Sequence, residues 1–131
     1  MGHSPDHTEI LLVDDDPIFR DALRDILCDA GFAVRDYGSP RTVPPLETLD
    51  NLALLITDYE MPDENGLAFA DRFHAVHPGV PVLLLTGYCA AAIESSLRAR
   101  RFVHFCVKPF MLDEFCALLH RLAGGSSSAE C

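Results

Sequence analysis

Hydrophobic residues fall in five short runs along the chain, and longer stretches of mixed polarity separate these runs. The runs cover residues 10–13, 32–34, 52–56, 80–85 and 102–107. Apolar runs of this length, bounded by polar and turn-forming residues, are typical of buried strands and are too short for buried helices. The pattern therefore predicts five β-strands.

Three of the intervening stretches, and the stretch that follows the fifth run, have helical periodicity. Apolar residues recur at helical spacing from Ile18 to Leu27, and Gly31 follows as a residue suited to end a helix. Three further helices are predicted over Gly66 to about Val76, Ala90 to Ala99, and Leu112 to Leu122. Strands that alternate with helices predict an α/β fold with a parallel sheet.

One stretch does not fit this alternation. Ser39 and Pro40 resemble a helix N-cap followed by proline at the first helical position. Pro44 and Pro45 then remove two backbone donors within the next turn. Any helix between residues 39 and 50 is therefore expected to be short or displaced.

The fold class predicted by this alternation is a doubly wound, five-stranded parallel sheet with helices on both faces. The flavodoxin-like strand order 2-1-3-4-5 suits a chain of 131 residues, and its switch point lies between the first and third strands. We expect residues 9–123 to form the domain. A flexible extension is expected over residues 1–8, and a disordered tail over residues 124–131.

Composition narrows the class of protein. Twenty acidic and ten basic residues leave a net charge of −10, with no basic run longer than Arg100-Arg101, which argues against direct nucleic-acid binding. No apolar run approaches the roughly 20 residues of a membrane helix. The five cysteines are odd in number and form no CxxC pair, so we expect reduced thiols in a cytoplasmic protein.

Polar residues that could do chemistry follow four of the five strands. Three aspartates, at positions 14–16, follow the first strand, whereas Asp58, Thr86 and Lys108 follow the third, fourth and fifth. The predicted strand order brings the carboxylates together at the switch point. Such a cluster is tolerable around a hard cation such as Mg²⁺, while lysine and threonine suit phosphate oxygens. The set indicates a metal and a phosphoryl group, although an isolated aspartate run could equally cap the first helix, a role we assign mainly to Asp16.

Four segments together resemble the motifs of response-regulator receiver domains. They are LVDDDP at 12–17, TDYEMP at 57–62, LTG at 85–87 and VKPF at 107–110, and the resemblance spans residues 9–122. It implies that Asp58 accepts a phosphoryl group from a sensor histidine kinase or a histidine phosphotransfer protein. It also implies that Mg²⁺, or Mn²⁺, is held by Asp14, Asp15, Asp58 and the backbone carbonyl of Glu60, while Lys108 and Thr86 contact the phosphoryl oxygens.

The resemblance further implies a conformational switch. The Thr86 hydroxyl would move toward the new phosphate, and Phe105 on the fifth strand would turn inward. Phenylalanine replaces the more usual tyrosine here, so a packing change is retained but a phenolic hydrogen bond is not. We also expect the side chains of Glu60 and Tyr88 to tune the lifetime of the phosphoryl group.

The resemblance also implies an output surface around the fourth and fifth strands and the last two helices. Contacts with a downstream protein target or a second copy are predicted for Tyr88, Ile93, Leu97, Phe105 and Phe115. The domain would be a phospho-acceptor in two-component signalling and not an enzyme, since it promotes only its own phosphotransfer and autodephosphorylation. Whether it is a complete regulator or part of a larger protein stays open.

Two alternatives use the same residues differently. A haloacid-dehalogenase-like phosphatase would carry the aspartyl phosphate on Asp14, because Asp14 and Asp16 form a DxD pair and 83–86 resembles that family's second motif. Proline after Asp16 and the short chain speak against it. A binding-only pseudo-receiver would retain the fold without phosphorylation, but the acidic pair, acceptor, threonine and lysine are all present.

Overall fold

A computed structural model of the chain describes residues 9–87, 91–108 and 111–123, with the backbone alone at 91–93. Strands and helices alternate in this part of the chain: β1 (Glu9–Val13), α1 (Pro17–Asp29), β2 (Ala33–Tyr37), β3 (Leu52–Asp58), α2 (Gly66–Val76), β4 (Val82–Thr86), α3 (Ala91–Arg98), β5 (Val103–Val107) and α4 (Leu112–Ala123). Across these described stretches, no helix is both long and apolar enough to cross a membrane.

The five strands form one parallel sheet in the order β2-β1-β3-β4-β5, which confirms the predicted order. Val13 of β1 pairs with Thr57 of β3, and Asp58 pairs with Leu85 of β4. Their carboxyl ends consequently meet at one edge of the sheet. Residues that follow β1, β3, β4 and β5 emerge side by side there.

Two hydrophobic clusters cover the two faces of the sheet. On one face, residues of α2 and α3, including Phe69, Phe73 and Leu97, pack with Leu11 and the other strand residues that point that way. The opposite cluster joins α1 and α4 to the alternate strand residues, such as Ile10, Leu23, Leu27 and Phe115. Helices therefore lie on both faces, as expected for a doubly wound fold.

Helix α1 begins and ends at the predicted signals. The Asp16 carboxylate accepts hydrogen bonds from the N–H groups of Ile18 and Phe19, at 3.1 and 3.3 Å. Pro17 occupies the first helical position, and Gly31 leaves the helix with a φ of 99°, a conformation that favours glycine. Asp16 thus acts as the N-cap, which confirms the capping role assigned to it.

The segment between β2 and β3 contains two short 3₁₀ turns, Pro40–Thr42 and Leu46–Thr48, where a longer helix would complete the alternation. Ser39 caps the first turn by accepting a hydrogen bond from the Arg41 N–H. The expectation of a short helix here is confirmed. Leu46 and Leu49 remain buried in the same cluster as α2, so the segment still covers the sheet.

Strand β2 lies further along the chain than the apolar run at 32–34 predicted. It extends through Arg35, Asp36 and Tyr37, and none of its residues is fully buried. β2 is an edge strand with one neighbour, so polar side chains are tolerated on it and its limits are not marked by hydrophobicity. Its polar end reaches the same edge of the sheet as Asp14, since Val13 pairs with Tyr37.

Gly66 opens α2 at a point of very close approach. A Cβ atom there would lie 2.2 Å from the Asp58 carbonyl oxygen and 2.8 Å from Leu84 Cδ1. The Gly66 N–H also donates to the Tyr59 carbonyl, at 2.7 Å. Glycine is therefore required to dock α2 against the end of β3.

We expect Gly66→Ala to lower the free energy of unfolding by about 2 kcal/mol, because the added methyl group forces the Asp58 backbone away from α2. Urea unfolding measures the loss. Gly79→Ala is the matched control, since its Cβ would meet no atom within 4 Å, and its effect should stay within about 0.5 kcal/mol. Equal stabilities for the two variants would contradict the steric argument.

Candidate functional site

Three carboxylates converge at the carboxyl edge of the sheet. Asp14 directly follows β1, Asp15 is the next residue, and Asp58 is the last residue of β3. Their potential ligand atoms all lie within 4.8 Å of one another. Asp14 is fully buried, Asp58 is 7% exposed, and Asp15 is exposed, so the cluster is open to solvent on one side.

Lys108 provides the positive charge that faces this cluster. Its Nζ lies 3.1 Å from Asp58 Oδ1 and 3.7 Å from Asp14 Oδ2. The Lys108 N–H donates to the Thr86 carbonyl at 2.7 Å, which continues the pairing of β4 and β5. The ammonium group also lies 4.3 Å from the centre of the Phe19 ring. α1 therefore helps to orient the lysine through a cation–π contact.

Burial dominates the acid–base behaviour of the two buried carboxyls. Desolvation raises the pKa of Asp14, against the lowering effect of the Asp16 N–H and of Lys108. Desolvation also raises the pKa of Asp58, against its hydrogen bond with Lys108. The neighbouring carboxylates raise both pKa values further. Burial, more than repulsion between the carboxylates, therefore disfavours the ionised forms of Asp14 and Asp58.

The polar atoms of Asp14 are held in place with one exception. Its N–H donates to the Tyr37 carbonyl at 3.1 Å, and its Oδ1 accepts from the Asp16 N–H at 3.0 Å. Its carbonyl oxygen accepts from Arg20 Nη1 at 2.7 Å. Oδ2 is buried and has no hydrogen-bond donor. A buried carboxylate oxygen left in this state, beside two other carboxylates, fits a ligand for a hard cation.

The remaining predicted residues occupy different positions around this cluster. Thr86 is fully buried at the end of β4, beside β3. Phe105 lies on β5, opposite Leu84, and packs half-buried against the cluster that includes α2 and α3. The Glu60 side chain is exposed in the loop after β3. Tyr88 lies outside the described residues.

The predicted output surface needs a correction. Leu97 is 1% exposed and Phe115 is 0% exposed, because the apolar stripes of α3 and α4 face the sheet. Phe115 is therefore unavailable to a partner in this conformation, and the Ile93 side chain lies outside the described part of the chain. The surface beside β5 is a groove of about 620 Å³ whose lining includes Leu97 and Phe105 from the predicted set, together with Arg98, Arg100, Arg101, His104 and Arg121.

Sequence reasoning missed three residues that support the site, two of them by direct contact and Asp36 through Arg20. Phe19 and Arg20 are half-buried residues near the start of α1, and Asp36 lies on β2. Arg20 Nε lies 3.2 Å from Asp36 Oδ2 while its Nη1 reaches the Asp14 carbonyl. Arg20 lies only six residues after Asp14, so the sequence could have indicated that the two residues are close. The position of Asp36 depends on the polar extension of edge strand β2, which the sequence did not mark.

Comparison with known proteins identifies this arrangement. The protein-family model for the response regulator receiver domain matches residues 10–120 of the chain. The chain belongs to the response regulator receiver family. This receiver is therefore a domain of two-component signal transduction, in a family of phospho-acceptor signalling domains that bind Mg²⁺ at an acidic pocket.

Relatives of the receiver differ in length. The chain is 30% identical over 106 residues to the C4-dicarboxylate transport transcriptional regulatory protein DctD of Pseudomonas aeruginosa, covering 81% of this chain and 23% of DctD. It is also 30% identical to the receiver protein CpdR of Brucella abortus, covering 80% of this chain and 88% of CpdR. The chain thus spans about a quarter of the first curated relatives it matches.

Solved receiver structures share the fold. The chemotaxis protein CheY4 of Vibrio cholerae superimposes with a TM-score of 0.75 at 26% identity, covering 88% of this chain and 98% of CheY4. TrrA of Thermotoga maritima, in complex with Mg(2+)-BeF, gives a TM-score of 0.75 at 27% identity, with the same coverage of 88% and 98%.

Removing the buried charge of Asp14 is expected to stabilise the metal-free protein. The folded-state pKa of Asp14 is raised, so the folded protein binds this proton more tightly than the unfolded chain, and stability falls as the pH rises through the acidic range. Asp14→Asn should remove this loss and raise Tm at neutral pH by about 2–4 °C, the scale of a single favourable substitution in a domain of this size.

Thermal unfolding in the presence of a chelator, repeated from acidic to neutral pH, measures this effect. Asp25→Asn, an exposed carboxylate on α1, is the control for a general change in net charge. A similar gain in both variants would mean that net charge, and not burial at the site, sets the stability.

Proposed function

We propose that Asp58 of this receiver accepts a phosphoryl group from a phosphohistidine of a sensor histidine kinase or a histidine phosphotransfer protein. One observation carries the proposal: the ligand atoms of Asp14, Asp15 and Asp58 lie within 4.8 Å of one another, with Lys108 Nζ 3.1 Å from Asp58. Excess negative charge with one facing ammonium group suits a site that takes up a metal cation and then phosphoryl oxygens.

The geometry favours Asp58 over Asp14 as the nucleophile. Asp14 is fully buried and its Oδ1 already accepts a backbone hydrogen bond. Asp58 retains 7% exposure and is the carboxylate nearer to Lys108. A donor can therefore reach Asp58 more easily, and the charge that develops on the phosphoryl oxygens would form beside the lysine.

The metal position is proposed from the donor set. Asp14 Oδ2, Asp15 and Asp58 would contribute carboxylate oxygens, and the Glu60 backbone carbonyl would complete the protein ligands for Mg²⁺ or Mn²⁺. The buried, donor-free Oδ2 of Asp14 supports this set. When bound, the metal neutralises negative charge on the phosphoryl oxygens.

The protein's own groups perform the transfer mainly by position and charge. An oxygen of ionised Asp58 attacks phosphorus in line, and the phosphorus–nitrogen bond breaks with its electron pair left on the imidazole of the donor. The Lys108 ammonium favours the ionised form of Asp58 and then balances charge on the equatorial oxygens. Thr86, at the end of β4, supplies a hydroxyl donor for one of those oxygens.

The switch is proposed to run from Thr86 to Phe105. The two residues lie on adjacent strands, and Thr86 pairs with Val107, two residues beyond Phe105. Movement of the Thr86 hydroxyl toward phosphate vacates space on the face where the Phe105 ring is half-buried. A ring without a hydroxyl would then respond by packing alone.

Partner contacts are proposed for the groove beside β5, which Phe105 and His104 line together with arginines of the neighbouring segments. Phosphorylation would alter this surface through Phe105 and recruit a downstream target or a second copy. Association measured by light scattering, with and without a phosphoryl mimic, tests this. If the extent of association changes neither with the phosphoryl mimic nor with substitution of Phe105, the proposal is wrong.

Intact-protein mass after incubation with Mg²⁺ and acetyl phosphate tests the acceptor. We expect wild type to gain the mass of one phosphoryl group, and Asp58→Asn to gain none. Lys108→Ala should slow formation of the adduct by about 100-fold, because one preorganised charge contact with the transition state is lost. Arg101→Ala, an exposed cation in the β5 groove, is the matched control and should leave the rate unchanged.

The site of the adduct separates the alternatives. An adduct that survives Asp58→Asn but is lost in Asp14→Asn would support the phosphatase-like chemistry. No adduct in wild type with either acetyl phosphate or a phosphohistidine donor would support a pseudo-receiver.

Decay of the same adduct tests the proposed control of phosphoryl lifetime. The exposed Glu60 side chain lies two residues after Asp58, from which it can reach over an acyl phosphate and its attacking water. Autodephosphorylation should therefore change in Glu60→Asn and in Tyr88→Ala. Unchanged decay in both variants would remove this role.

A further inference from the structure

Arg20 links three structural elements at the back of the carboxylate cluster. It lies on α1, its Nη1 donates to the Asp14 carbonyl at 2.7 Å, and its Nε donates to Asp36 of β2 at 3.2 Å. The arginine side chain is 21% exposed and the Asp36 side chain 18%. The guanidinium group is thus largely shielded from water and uses separate nitrogens for its two partners.

The end of β2 is shaped to receive this side chain. The Tyr37 carbonyl accepts the Asp14 N–H at 3.1 Å, so β2 holds the backbone of Asp14 on one side while Arg20 holds it on the other. At Gly38, a Cβ atom would lie 3.0 Å from Arg20 Nη1. Glycine therefore leaves room for the guanidinium group beside the Asp14 carbonyl.

These contacts determine which atom of Asp14 remains for a ligand. The backbone N–H and carbonyl and the side-chain Oδ1 all have partners, whereas Oδ2 has no donor and points toward Lys108 at 3.7 Å. Fixing the backbone on both sides limits rotation of the residue as a whole. Oδ2 is consequently held toward the cluster before any metal arrives.

The ion pair also solves an electrostatic difficulty. A cation beside a metal site lowers metal affinity unless its charge is balanced, and Asp36 balances Arg20 at short range. The pair can therefore supply a strong, charge-assisted hydrogen bond to the Asp14 carbonyl while adding no net charge near the carboxylates.

We infer that Arg20, anchored by Asp36, is a positioning residue that holds Asp14 with its Oδ2 directed at the metal. The inference rests on the metal site proposed above and adds two residues that do not themselves contact the metal. Partners outside the ligand shell that orient ligands change metal affinity by about 10- to 100-fold when they are removed.

The variant that tests this must remove the contacts without changing net charge. Arg20→Gln alone would remove one positive charge near the site, and the added negative potential would attract cations and mask the loss of positioning. The double variant Arg20→Gln/Asp36→Asn removes both charges together. Arg24→Gln/Asp25→Asn is the matched control, since it also leaves net charge unchanged, Arg24 lies one turn along α1 with its Nη1 3.6 Å from the same Asp36, and Asp25 is exposed.

Isothermal titration calorimetry of the chelator-treated full chain with Mg²⁺ measures the effect directly. We expect the double variant to bind Mg²⁺ about tenfold more weakly than wild type. The control should stay within about twofold, as for an exposed ion pair. Wild-type affinity in the Arg20→Gln/Asp36→Asn variant would overturn the inference, and so would an equal loss in the Arg24→Gln/Asp25→Asn control. Absence of Mg²⁺ binding by wild type would instead overturn the proposed metal site.

A metal-free measurement guards against general unfolding of the variant. Amide hydrogen exchange should accelerate in the double variant at Asp16, whose N–H donates to Asp14 Oδ1, while amides in the middle of β1 and β3 keep their protection. Unchanged protection at Asp16 in a folded double variant would overturn the inference that Arg20 and Asp36 hold Asp14 in place. Loss of amide protection that is confined to Asp14 and Asp16 would support it.

Discussion

Burial of β1 and β3 on both faces of the sheet is the constraint from which the site follows. Every residue of β3 is buried, and Ile10 to Val13 of β1 have no exposed surface. Charged side chains cannot be accommodated along such strands without large desolvation costs. The first carboxylates can appear only where the strands end, and adjacent parallel strands end at the same edge. Asp14 and Asp58 are brought together for this reason.

The resulting cluster is electrostatically unfavourable, and the surrounding structure limits the strain without removing it. Lys108 faces two of the carboxylates, and the Phe19 ring orients its ammonium group. Backbone donors and Arg20 hold Asp14, yet its Oδ2 keeps no hydrogen bond. A protein with fewer carboxylates in this cluster would be more stable but would bind a cation more weakly. Stability and ligand binding are opposed at this position.

Hydrophobic patterning predicted most of the fold because the signal depends on local spacing. The central strands and α1 with its Asp16 cap follow from runs, turns and caps that can be read within a few residues, whereas the strand order was inferred from the α/β class and the size of the domain. The pattern was less informative for β2, where an edge position tolerates Arg35 and Asp36. The expectation that Phe115 contacts a partner came from the receiver resemblance and was wrong, because the apolar stripe of α4 is buried against the sheet.

By itself, the sequence determined the α/β class, the order of the motifs, and the set of Asp14, Asp15, Asp58, Thr86 and Lys108, since each follows a recognisable strand. Tertiary structure alone decided how those groups are held. The Arg20–Asp36 pair, the seat of Lys108 over Phe19, and the close approach of Gly66 to Asp58 join residues from different elements. Such contacts depend on side-chain direction and packing distance, and no local periodicity encodes these.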